Sequence, residues 1–259
     1  AKSWALPRVQ EVLSLPGVER RIGHQCPFGL KSTDATGEGL VLKPTGWMSN
    51  CVEVKDNDQV VMYRSACMRL AFLAMDRPDI QFASKEAARG MAGPTVRHFN
   101  ILKRAVRHLI SNRACLFVYE QQKWPGQIRL YSDSDWAGCP ITRKSTSGLC
   151  VCFGKHCWYT NSSTQVPISL SSGEAEYYAL TKAGSRALGF MGLADDLGIN
   201  LFGNITWQID TDSSASKGIA VRRGVGKIRH LETGTLWVQQ AVANRRFTVK
   251  KIDGKVNPA

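Results

Sequence analysis

Residues 128–137, Ile-Arg-Leu-Tyr-Ser-Asp-Ser-Asp-Trp-Ala, alternate apolar and polar side chains and so read as a strand that ends in acids. Asp133 and Asp135 face one side of it, Ser132 and Ser134 the other. A carboxylate on the inward side of a strand is costly unless it is paired or metal-bound. The run therefore demands that the fold bring a partner to it. Two later stretches meet that demand. In Ser171-Ser-Gly-Glu-Ala-Glu-Tyr-Tyr-Ala-Leu180, Ser172 followed by acids marks a helix start and puts Glu176 on its first turns. In Ile205-Thr-Trp-Gln-Ile-Asp-Thr-Asp212, a β-rich run ends in Asp212, with Ser213 or Ser214 able to cap a following helix. Asp212 thus sits at a strand's carboxyl end, where open α/β sheets gather their ligands.

The order of periodic segments predicts strands at 128–136, 147–153 and 156–161. A helix over 173–189 and a shorter one to 197 follow, then strand 205–211, helices 213–221 and 228–243, and strand 246–252. This is a mixed sheet of five strands with flanking helices. Upstream, helices are predicted near 61–75, 78–91 and 95–110. Phe28–Val54, rich in Gly, Thr and Pro and containing Trp47, reads as loop or short strands. The expected organisation is an unassigned segment 1–60, a helical region 61–125 and an α/β domain 126–259.

Five ordered blocks, Tyr131–Gly138, Arg143–Gly148, Leu170–Tyr177, Asp210–Ala215 and Lys227–Glu232, resemble the ribonuclease H domain of copia-type LTR retrotransposon Pol polyproteins. Tyr63–Ser65, Ala74–Ile80 and Leu102–Leu109 resemble the thumb and connecting helices at the end of the reverse transcriptase in the same polyproteins. The resemblance covers roughly residues 62–259. It implies a ribonuclease H-like fold and Mg²⁺-dependent hydrolysis of the RNA strand of RNA/DNA hybrids. The two Mg²⁺ ions, for which Mn²⁺ can substitute, would be held by Asp133, Glu176, Asp212 and a fourth Asp. Hard divalent ions suit carboxylate oxygens, and two of them stabilise both the attacking and the leaving oxygen of an in-line displacement. The fourth acid follows the family's last strand, expected here at Phe247–Ile252. It is therefore expected beyond Ala259 unless Asp253 replaces it.

Neighbouring acids divide. Asp135 reads as a residue supporting the metal ligands or as a structural or solvent-facing one. Glu174 and Asp210 are expected at the surface, because helical and strand periodicity turn each away from its neighbour. His230, in the fifth block, would orient a phosphate or serve in packing, and Glu232 would at most support the site. Asp195 and Asp196 close a helix at Gly198, and no Tyr-x-Asp-Asp block is present, so polymerase chemistry is not expected.

A net charge of +13, from 34 Lys and Arg against 21 Asp and Glu, favours an acidic polymer as partner. Arg97, Lys103, Arg104 and Arg107 lie on the polar side of a helix whose apolar stripe is Val96, Phe99, Leu102, Val106 and Leu109. Arg143 and Lys144 follow the first acid, and Lys217, Arg222, Arg223, Lys227 and Arg229 follow Asp212. Such surfaces would contact phosphates for position rather than sequence, unless they are only solvated faces. The expected partners are an RNA/DNA hybrid or other nucleic acid and the rest of a Pol polyprotein. No membrane partner is expected, because no apolar run is long enough to span a bilayer and Ala1–Gln10 has no apolar core. Eight cysteines without a Cys-x-x-Cys pair suggest neither a zinc ribbon nor a disulfide framework, and Cys150 and Cys152 read as small core residues. An intracellular setting, in a cytoplasmic particle or the nucleus, follows. Two other readings stand beside the nuclease: a binder of hybrid or duplex that no longer cleaves, and a scaffold beside a polymerase.

Overall fold

The Asp56 side chain accepts the backbone N–H of Asp58 and so starts helix α1 (Asn57–Leu73) in the computed structural model, which describes residues 56–199, 203–226, 228 and 230–259. The expectations for Phe28–Val54 and for Lys227 and Arg229 lie outside the described residues. Helix α2 (Pro78–Ala88) begins on a proline, whose missing N–H costs nothing at a first turn. Helix α3 (Val96–Ser111) is capped by Thr95 and His98. These helices share a small core of Tyr63, Leu70, Ile80, Ile101 and Leu102, and the Tyr63 hydroxyl donates to the Ala87 carbonyl at 2.5 Å. Val96 and Val106, expected in the apolar stripe of α3, are exposed, because the buried face is centred on Ile101, Leu102 and Ala105.

Five strands form one sheet in the order β3-β2-β1-β4-β5. They are β1 (Gln127–Asp135), β2 (Thr146–Phe153), β3 (His156–Thr164), β4 (Thr206–Thr211) and β5 (Thr248–Lys251). The first three form an antiparallel meander, while β4 and β5 run parallel to β1. Helix α4 (Ser172–Asp196) connects the meander to β4, and α5 (Ser214–Val221) and α6 (Trp237–Ala243) connect β4 to β5. Parallel neighbours require such crossovers. This is the expected mixed five-stranded sheet with flanking helices. Its core joins Leu130, Val151, Leu180, Ile209 and Phe247, and burying one such side chain contributes about 1.5–3 kcal/mol.

Two helical expectations change. α4 is one helix of 25 residues rather than two, since Gly189 and Gly192 face open space and the packing of α4 on β1 and β2 carries the helix through them. The helix expected over 228–243 is reduced to α6, preceded by a 3₁₀ turn at Thr233–Thr235.

The helical unit rests against the meander. Gln81 donates to the Thr160 carbonyl at 3.2 Å, Lys85 to the Thr146 hydroxyl at 2.7 Å and Arg89 to the Thr142 hydroxyl at 2.8 Å. The last two contacts fix the β1–β2 end of the sheet, the end at which Asp133 lies.

Candidate metal centre

Each acid reaches the centre by a separate local device. Asp133 lies near the end of β1, in register with Gly148 of β2. A Cβ on Gly148 would come within 3.1 Å of the Ala259 backbone, so a larger residue there would push the tail outward by a few tenths of an ångström. Asn257 anchors that tail by donating to the Ser132 carbonyl at 3.0 Å. Glu176 is aimed by the start of α4. The Ser171 hydroxyl accepts from the Glu174 N–H at 3.2 Å, and the Glu174 carboxylate accepts from the Leu170 N–H at 2.9 Å. Ser171 is therefore the cap, and the helix begins at Ser172. The Ser-x-x-Glu spacing of Ser171 and Glu174 is the signal that selects it. Asp212 stands between β4 and α5, whose cap Ser213 accepts from the Ser216 N–H at 3.1 Å. A Cβ on Gly173 would meet Ala215 at 2.8 Å, so the starts of α4 and α5 nearly touch. That close approach carries Glu176 and Asp212 to one place.

Asp133, Glu176 and Asp212 each offer an oxygen within 4.8 Å of the others. Glu176 is 6% exposed; one of its oxygens accepts from the Ser134 N–H at 3.2 Å and the other, Oε2, is buried without a hydrogen-bond partner. Burial, followed by the charges of Asp133 and Asp212, pushes the Glu176 carboxyl up to about 8. Burial also raises Asp133, with the Asp212 and Asp135 charges adding to it. With its carboxyl raised that far, metal-free Glu176 keeps its proton at neutral pH. Three clustered carboxylates with one unsatisfied buried oxygen fit a hard divalent cation, which would take that proton's place.

The other expected site residues are placed differently. Asp135, at the exposed end of β1, accepts the Thr146 N–H and holds the β1–β2 turn. Glu174 and Asp210 are not surface charges. Glu174 is 2% exposed and Asp210 fully buried, because the first turns of α4 and the whole of β4 after Thr206 are covered on every side. His230 reaches the Glu174 carboxylate at 3.0 Å, which ties the 230 loop to the start of α4. Asp210 is bound by Arg129 at 2.6 Å and by Gln208 at 2.7 Å. Glu232 lines a groove of about 610 Å³ with Thr164, Gln165 and Lys182. Asp253 accepts the Lys255 N–H at 2.9 Å and does not join the three acids.

Sequence reasoning missed Gln165. Its buried amide donates toward the Ser134 hydroxyl at 3.1 Å, the Ser147 hydroxyl at 3.0 Å and the Ala175 carbonyl at 2.8 Å. It therefore braces β1, β2 and α4 beside the acids. A glutamine after a strand carries no local signal of this.

The basic residues also divide. Lys103, Arg104, Arg107, Arg143 and Arg223 are exposed, while Arg97, Lys144 and Lys217 are half-buried. Arg222 is turned inward: its guanidinium donates to the Val225 carbonyl and packs over Gly226. Arg222 thus serves its own turn. No helix among the described residues is long and apolar enough to cross a membrane.

No protein-family profile matches the chain. An uncharacterised mitochondrial protein of Arabidopsis thaliana is 35% identical over 119 residues, 46% of this chain and 49% of that protein. The retrovirus-related Pol polyprotein from transposon RE2 of Arabidopsis thaliana is 33% identical over 139 residues, 54% of this chain and 10% of the polyprotein. The chain thus spans about half the length of the first relative and about a tenth of the second. Among solved structures, ribonuclease H1 of the halophilic archaeon Halobacterium salinarum aligns with a TM-score of 0.36 and 15% identity, over 51% of this chain and 89% of that one.

Proposed function

We propose that the chain, which is similar to a retrotransposon Pol polyprotein, is a fragment of a copia-type one, and that residues 126–259 are its ribonuclease H-type nuclease, which hydrolyses the RNA strand of RNA/DNA hybrids with Mg²⁺. Residues 61–125 are then the closing helices of the reverse transcriptase, and the rest of the polyprotein is a partner. The observation that carries this reading is the buried, unpartnered Glu176 oxygen set among Asp133 and Asp212.

Asp133, Glu176 and Asp212 would hold the divalent metal, with Mn²⁺ as a substitute. When bound, the metal supplies charge neutralisation at the scissile phosphate and a more acidic water. The chain's own residues do the rest. Glu176 gives up its proton as the cation enters, and the Ser134 N–H keeps its carboxylate oriented. Gln165 keeps β1 and α4 in fixed relation, so the carboxylates do not splay. Exposed Arg143, Lys103, Arg104 and Arg107 would contact phosphates without reading sequence. The 2′-hydroxyls of the RNA strand would distinguish hybrid from DNA duplex.

Labelled hybrid incubated with Mg²⁺ tests the reading. One arm uses the chain, and a second a form continued past Ala259 along its reading frame. The continued form is expected to cleave and to lose cleavage on Asp133→Asn. An inactive continued form, or unaltered cleavage by Asp133→Asn, would overturn the nuclease. Salt-sensitive hybrid binding without cleavage would select the binding reading instead.

A further inference from the structure

On β2, Leu149 and Val151 point into the main core, while Cys150 and Cys152 alternate with them and so face the other side of the sheet. Both are buried. The register between β2 and β3 shifts between Val151 and Cys152. Val151 pairs with Tyr159, yet Cys152 pairs with Cys157, so Trp158 is the extra residue of a bulge. A regular ladder would have set Trp158 opposite Cys152. The bulge instead delivers a third thiol. The Cys150 sulfur lies 3.7 Å from that of Cys152 and 3.3 Å from that of Cys157, and all three sulfurs fall within 4.8 Å of one another.

We propose that Cys150, Cys152 and Cys157 form a three-thiolate site for one soft cation of the Cu(I) class, separate from the carboxylate centre. Three sulfurs each about 2.3 Å from a central ion stand about 4 Å apart; the spacings of 3.7 and 3.3 Å here are slightly shorter, so small outward shifts of the thiols would admit the ion. A disulfide would need the sulfurs about 2.05 Å apart, well inside the 3.3 Å separation. Zinc favours four ligands, and among the described residues no fourth Cys, His, Asp or Glu joins the group. Three sulfurs without a fourth donor suit a soft, low-coordinate ion. Binding replaces three S–H bonds by three metal–sulfur bonds and releases three protons to solvent, with no change of oxidation state. Half-buried Cys157 gives the ion its entrance. Ligand softness keeps the two centres apart, since a hard divalent ion goes to the carboxylates and a soft one to the thiols.

The test titrates the reduced full chain anaerobically with Cu(I) held by a chromogenic chelator. Readouts are the copper retained, the melting temperature and the same titration with Zn²⁺. One equivalent should be retained, with a rise in melting temperature, and Cys157→Ser should lose both while its metal-free melting temperature stays close to that of the wild type. Cys150→Ala should behave likewise; should that buried variant not fold, the half-buried Cys157→Ser decides alone. Cys115→Ser and Cys139→Ser, outside the cluster, should retain the equivalent. Retention of the equivalent by Cys157→Ser, Zn²⁺ held as tightly as Cu(I), or no retained copper in the wild type would each overturn the site.

Discussion

The same sheet buries acids in two ways. Near the end of β4, Asp210 is fully enclosed and fully answered: Arg129 binds one carboxylate oxygen and Gln208 the other. On the first turns of α4, Glu176 is nearly as buried, yet one oxygen has no partner and the charges that raise its carboxyl are the like charges of Asp133 and Asp212. A buried carboxylate with its own cation is compensated for its lost hydration. One surrounded by other carboxylates opposes folding until a cation arrives from outside. The contrast is what a metal-binding role for Glu176, and a structural one for Asp210, would require.

The largest effect should come from breaking the answered pair. Arg129→Ala leaves Asp210 buried without its cation and is expected to cost about 3 kcal/mol in urea unfolding, while metal binding at the strand ends is retained. Glu176→Gln should act in the opposite sense, raising the metal-free melting temperature by a few degrees while abolishing metal binding. A loss of metal-free stability in Glu176→Gln would erase the contrast.

The pH dependence follows the same line. Glu176 holds its proton in the folded chain up to about 8, whereas the unfolded chain releases it near the ordinary 4.5. The folded state therefore binds more protons between these values, and stability falls as pH rises through that window. The metal-free melting temperature should drop from pH 5 to pH 8, the drop should vanish in Glu176→Gln, and Mg²⁺ should reverse it. The smallest effect is expected from Asp135→Ala. It removes the acceptor of the Thr146 N–H at an exposed turn and should cost about 1 kcal/mol, with metal affinity little changed.

Much of this was legible in the chain. Alternation located β1, β2 and β4, and the acids at their ends stood out because a strand cannot bury them for nothing. Periodicity failed where an element is covered on all sides. It turned Glu174 and Asp210 outward by assuming one wet face, whereas Glu174–Leu180 and Trp207–Thr211 have none. Asp210 looked like a surface charge because its partner, Arg129, is remote in sequence and meets it only through the parallel pairing of β1 with β4. Gln165 and the register shift that aims Cys157 are equally non-local. Ser172 was legible as the start of α4, but not that Ser171 caps it: adjacent serines both look like caps, and only the spacing to Glu174 separates them.

The central claim is that Asp133, Glu176 and Asp212 form one divalent-metal centre, and Mn²⁺ binding followed by electron paramagnetic resonance tests it most directly. The account predicts that the chain binds Mn²⁺, that Mg²⁺ competes for it, and that Asp133→Asn weakens binding by at least about a hundredfold while Asp210→Asn leaves it intact wherever that variant folds. Equal Mn²⁺ binding by Asp133→Asn and the unaltered chain would contradict it.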